Sequence, residues 1–130
     1  MKTLESHINE ALKIGKNLSK FSTYSCQPTT GQELKMIIND RICREGLKCD
    51  LNDIDVSLIT DMSNIFYRSK FNGDISRWNT RNVIEMTRMF QNSVFDKDIS
   101  NWKIRKDCDT NRMFGECDIR DEFKPIFDKS

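Results

Sequence analysis

Histidine is almost missing from this chain: His7 stands alone. Cys–His and Ser–His–Asp chemistry would therefore rest on one ring, on the polar side of an N-terminal helical pattern and far in sequence from the later cysteines. P-loop, dinucleotide-binding and zinc-protease signatures are also lacking, so no catalytic centre and no cofactor are expected. There is no CxxC pair among Cys26, Cys43, Cys49, Cys108 and Cys117, an odd number, and free thiols are expected rather than a structural disulfide or a zinc site. Charge of one sign is lacking as well: 21 basic residues meet 20 acidic ones, which excludes a polybasic chain that coats nucleic acid through net charge. No apolar run is long enough to span a bilayer, and Glu5, His7, Asn9 and Glu10 interrupt the stretch that an export signal would need. A cytoplasmic protein without a membrane partner is the expectation.

What the chain does have is large apolar side chains, with eight Phe, six Met and two Trp, and they recur. At a shift of 24 residues, Met62/Met86, Phe66/Phe90, Ser69/Ser93, Phe71/Phe95, Asp74/Asp98, Ile75/Ile99, Ser76/Ser100 and Trp78/Trp102 are identical pairs. A weaker copy follows, in which Met113, Phe114, Ile119, Phe123 and Ile126 take the corresponding places. Another precedes it, with Ile38, Ile42, Leu47, Leu51 and Ile54 on the apolar positions.

A fixed period of this length marks units that cannot bury an apolar side alone and do so against their neighbours. Met62, Ile65 and Phe66 have helical spacing after Thr60 and Asp61, "YRSKFNGD" is rich in turn formers, and "DISRWNT" alternates like a short strand. The fold expected is an α/β repeat solenoid: a leucine-rich-repeat-like stack of short helix, turn and short strand units. Residues 30–130 would hold about four 24-residue units. Residues 1–29 would form a capping helix, with Leu4, Ile8, Ala11 and Leu12 on one face, and a linker. Thr30 and Glu33 have capping-box spacing and open a longer helix bearing Leu34, Ile37, Ile38 and Ile42. Whether the last unit, with Pro125, ends the array or offers an edge for self-association stays open at this level.

Two polar columns also follow the period. Asp50, Asp74, Asp98 and Glu122 are read as acceptors for backbone N–H groups in their own turns, because the Gly-rich loops of repeat calcium binders are absent. Arg81/Arg105 and Arg88/Arg112 are one period apart, with Arg68, Lys70 and Arg77 nearby on the same units. These seven residues are the candidate partner-binding set, since guanidinium forks suit carboxylates and phosphates alike. Glu85, Asp96, Asp107 and Asp109 in the same region favour a protein partner over nucleic acid.

The stretch "ITDMSNIFYRSKFNGDISRWNTRNVIEMTRMFQNSVFDKDISNW" resembles the BspA-like leucine-rich-repeat family, over about residues 50–104. The resemblance rests on Thr60, Asp61, Met62, Ser63, Phe66, Phe71, Asn72, Asp74, Ile75, Ser76, Trp78 and Asn79, and again on Asn82, Val83, Met86, Met89, Phe90, Phe95, Asp98, Ile99, Ser100 and Trp102. It implies a right-handed repeat array used for binding, often at cell surfaces and without catalytic residues. Small intracellular proteins of this repeat also resemble products of phages and mobile elements. The expected function is a non-catalytic protein-binding module, in its most specific form a phage-encoded inhibitor that blocks a host defence protein. The alternatives are a nucleic-acid-binding module using the Arg columns, a fragment of a surface adhesion protein, and a thiol-dependent enzyme.

Overall fold

A computed structural model of the chain describes residues 24–127; the capping helix expected around Leu4–Leu12 lies outside the described residues. The α/β architecture expected from the repeats is not formed. The described residues hold a single α-helix, α1 (Gly31–Glu45), and a single 3-10 turn (Asp121–Phe123). In place of a sheet there are only isolated parallel bridges, Cys26 to Ile54, Asp61 to Glu85 and Glu85 to Asp109. The expected short helix at Met62, Ile65 and Phe66 is instead a pair of tight turns, closed by Ile65 N–H to Met62 O at 3.3 Å and Ser69 N–H to Phe66 O at 3.1 Å.

The reason lies in where the amides point. A helix would spend the Phe66 N–H on the Met62 carbonyl four residues back. Here Phe66 N–H donates to Met89 O at 2.8 Å, and Met62, Asn64 and Arg68 donate likewise to Glu85, Thr87 and Gln91. The next unit repeats the pattern: Met86, Arg88, Phe90 and Asn92 donate to Asp109, Asn111, Met113 and Gly115 at 2.7–3.0 Å. Alternate amides thus reach 23 residues forward, from one unit to the following one. The chain does this by reversing its backbone twist at two residues of each unit, four apart. Asn64, Arg68, Arg88, Asn92, Arg112 and Glu116 all have φ between 53° and 61°, a left-handed conformation incompatible with either a continued helix or an extended strand.

The period does set which side chains meet. Phe66, Phe90 and Phe114 form a continuous file, with centroids 5.4 and 5.5 Å apart and planes within 10° of parallel. Phe71 lies 6.3 Å from Phe95, and Trp78 lies 6.2 Å from Trp102. Ile75, Ile99, Met62, Met86 and Met89 complete an interior that water does not reach. Each tryptophan also satisfies its polar edge across units: Trp78 Nε1 donates to Leu51 O at 2.9 Å and Trp102 Nε1 to Ile75 O at 3.0 Å. The files thin out at the ends. Leu47, on the Phe71 position, is 43% exposed, and Ile126, on the Trp position, is 83% exposed.

The aspartates hold the turns between units. Asp74 Oδ1 accepts from the Ser76 N–H at 2.9 Å and the Ser76 hydroxyl at 2.7 Å, and Asp98 does the same with Ser100 at 2.9 and 2.6 Å. Asp50 accepts from Asn52 N–H, and Asp61, Asp55 and Asp109 accept from the N–H two residues on. Glu122 departs from the column, lying in the 3-10 turn.

The helix α1 covers the start of the array. The Thr30 hydroxyl accepts from the Glu33 N–H at 3.1 Å, and the Glu33 carboxylate accepts from the Thr29 N–H at 3.1 Å, so the expected cap is formed. Leu34, Ile37 and Ile38 are buried. Arg41, with only 13% of its side chain exposed, pins α1 to the next segment. Its Nη1 donates to both Asp53 oxygens at 3.1 and 2.8 Å, and its Nη2 donates to Asp50 O at 3.1 Å. The first turn of α1 lies so close to the array that a Cβ on Gly31 would collide with Asp61 O.

Candidate binding surface

All seven candidate basic residues are exposed, but the fold does not bring them together. Arg77 and Arg81 line one open depression of about 390 Å³, flanked by Trp78, Asn79 and Thr80 on their own unit and by Asn101 and Lys103 on the next. The depression exists because Thr80 is buried, its hydroxyl donating to Lys103 O at 3.1 Å, which draws the two units together behind the charged side chains. The remaining five residues lie elsewhere. Arg105 is committed to Asp107 through paired bonds of 2.8 and 3.0 Å, so the Arg81/Arg105 column carries one uncompensated guanidinium rather than two. Arg88 and Arg112 keep their column: the Arg88 N–H donates to Asn111 O, beside Arg112. Arg68 occupies the other left-handed position of its unit, its guanidinium 5.2 Å from the Tyr67 ring. Lys70 shares its register with Val94 and Asp118 and extends neither column.

Lys103 was missed by sequence reasoning. Its signal was available, because it follows Trp102 as Asn79 follows Trp78, and both line the depression.

A second depression, of about 560 Å³, is bordered by Asp74, Asp96 and Asp98 and by Lys48, Lys97 and Arg120. Arg120 pairs with Asp96 at 3.4 Å. The Asp74 carboxyl is held below the usual carboxylate range, first by the Ser76 backbone N–H, and Asp98 is likewise lowered by the Ser100 hydroxyl and N–H. Both aspartates therefore remain charged at neutral pH while serving their turns. No cluster of three metal-ligating side chains occurs among the described residues.

None of the five cysteines forms a disulfide, and burial raises the pKa of Cys26, Cys49 and Cys117, so at these three the reactive thiolate is scarce at neutral pH. No described helix is long and apolar enough to cross a membrane.

Residues 35–123, more than half of the chain, match the model of the family described as Mycoplasma protein of unknown function, DUF285. The chain belongs to that family. The matched span runs from the first turns of α1 to the end of the 3-10 turn, so the DUF285 match takes in the aromatic files and both depressions. No curated protein and no solved structure matches this DUF285 member.

Proposed function

We propose that this DUF285 protein is a non-catalytic protein-binding module, whose contact surface includes the depression formed by Arg77, Arg81 and Lys103. The observation that carries this reading is the group of three cationic side chains gathered at one depression on a cross-bonded frame, next to a region of alternating sign. Preorganised side chains lose little freedom on docking, which favours recognition of a folded partner. A strand of nucleic acid, in contrast, needs a continuous positive track along its phosphates. Asp107 on Arg105, and Asp96 on Arg120, interrupt such a track. The complementary partner surface is acidic.

The resemblance to BspA-like leucine-rich repeats points the same way, since that family binds rather than catalyses. Within this class the specific role we carry forward is occlusion: an inhibitor that works by occupying a host protein's surface. The test is affinity capture by the full chain beside an Arg77→Glu/Arg81→Glu/Lys103→Glu variant of equal thermal stability. One specific protein, retained after nuclease treatment and lost with the variant, is the expected result. Recovery of nucleic acid instead, or equal capture by the variant, overturns the reading.

A further inference from the structure

Along the left-handed turns, the hydrogen bonds between units run one way. Residues 62–68 give N–H groups to the unit after them, and residues 86–92 do the same, while the carbonyls between them serve the unit before. Carried one period on, the donors Met86, Arg88, Phe90 and Asn92 become Thr110, Arg112, Phe114 and Glu116. None of these four amides has a hydrogen-bond acceptor among the described residues. They occupy the last rung of the array, where a following unit would sit. Lys124 and Phe127 lie over the Phe114 ring, at 5.5 and 6.5 Å, and so cover some of its apolar face without supplying a carbonyl to the amides beside it.

We infer that this terminal edge, residues 110–116, is a docking site for a backbone segment of a partner protein that presents carbonyl oxygens at alternate residues. The inference rests on the reading of the chain as a protein-binding module and adds a second contact site to it. The edge itself selects the occupant. Unpaired amides in a ladder are a template for another chain. A second copy meeting it edge to edge would set donors against donors. A second copy meeting it head to tail would have to offer the carbonyls of Asp61, Ser63, Ile65 and Tyr67, the opposite end of the same ladder. At that end Gly31 of α1 is packed directly on Asp61 O, so a second copy cannot reach the whole row while α1 is in place. The occupant assigned to the edge is therefore a partner protein, with a second copy and the chain's own residues as the outcomes that would overturn it.

The edge can be tested without knowing that partner, using a capped synthetic peptide of residues 109–118 as the probe, because that segment is the natural acceptor for the preceding rung. Amide exchange is followed by NMR on the full chain. In the free chain, the Arg88, Phe90 and Asn92 amides should exchange at least about a hundredfold more slowly than Arg112, Phe114 and Glu116. Millimolar peptide should slow the latter three by about tenfold or more, and a scrambled peptide should not. Fast exchange that the peptide leaves unchanged overturns the inference. So does protection already present in the free monomer, or protection that appears only as the chain dimerises. Those outcomes leave the Arg77/Arg81/Lys103 surface untouched, since that reading is decided by capture and charge reversal.

Discussion

Phe90→Ala is the sharpest probe of what holds this protein together. Phe90 is fully buried, with Phe66 at 5.4 Å on one side, Phe114 at 5.5 Å on the other, and Phe95 at 4.6 Å. Removing a fully buried Phe ring typically costs about 3–5 kcal/mol, combining lost transfer energy with the cavity left behind. The upper end of that range applies here, because ring pairs add about 0.5–1.5 kcal/mol each beyond their area and four are lost together. Relaxation is also restricted: the Phe90 N–H is bonded to Met113 O, and Met89 is buried beside it. Since a domain of this size is stable by only about 5–15 kcal/mol, the variant should lose a large share of its stability. Phe114→Ala provides the internal comparison. That ring is half-buried, with an aromatic file on one side only, so its removal should cost about 1–2 kcal/mol. Urea titration followed by the fluorescence of Trp78 and Trp102 reads both, and Trp102 lies 6.3 Å from the deleted ring. A cost below about 1 kcal/mol for Phe90→Ala, or equal costs for the two variants, would refute the aromatic file as the main source of stability.

Three further outcomes are expected. A Cβ on Gly73 would collide with Cys49 O and lie 2.8 Å from the Phe71 ring, so Gly73→Ala must push neighbouring units apart and should cost about 1–3 kcal/mol or more, seen as a lowered melting temperature. Arg88 has φ 56°; Arg88→Gly should therefore stay within about 1 kcal/mol of wild type, because relief of the left-handed strain offsets the added freedom of the unfolded chain, while Arg88→Val should be clearly less stable. For Asp53, burial opposes ionisation, but hydrogen bonds from Arg41 and Ser25 outweigh it and hold the carboxyl below its ordinary value of 3.8. A depressed carboxylate contributes stability that is present above the ordinary value and lost as pH falls through the folded one. Asp53→Asn should thus weaken the α1 attachment by about 1–3 kcal/mol at pH 7 and flatten the acid limb of a pH series of urea titrations; an unchanged limb would discount the Arg41 contact.

The neighbour relations were legible in the sequence and the backbone path was not. Identical residues one period apart could be placed against each other from letters alone, and Phe66/Phe90 and Trp78/Trp102 do meet. The duty of Asp74 and Asp98 was readable too, because an aspartate two residues before a serine is a local motif that needs no tertiary information. Helical spacing at Met62, Ile65 and Phe66 misled, since consecutive tight turns put side chains three and four apart on one side just as a helix does. The difference is set by amides that bond to a unit 23 residues away, and no local propensity records that. One clue was present: Asn64 and Asn92 sit at left-handed positions, which asparagine tolerates better than most residues, yet Arg68, Arg88 and Arg112 hold equivalent positions and conceal the pattern. Of the candidate basic residues, Arg77 and Arg81 share one depression with Lys103 while the other five do not line it, a grouping that register along the chain does not reveal.

A ladder whose turns donate in one direction only has a bearing on how such genes change length. If one whole period were deleted in frame, the amides ahead of the gap would meet carbonyls equivalent to those they had lost, and the aromatic files would close up ring on ring. A deletion of any other length would leave donors opposite side chains and throw every buried position out of register. Length in this architecture can therefore drift by complete modules with little penalty, whereas partial ones should be purged.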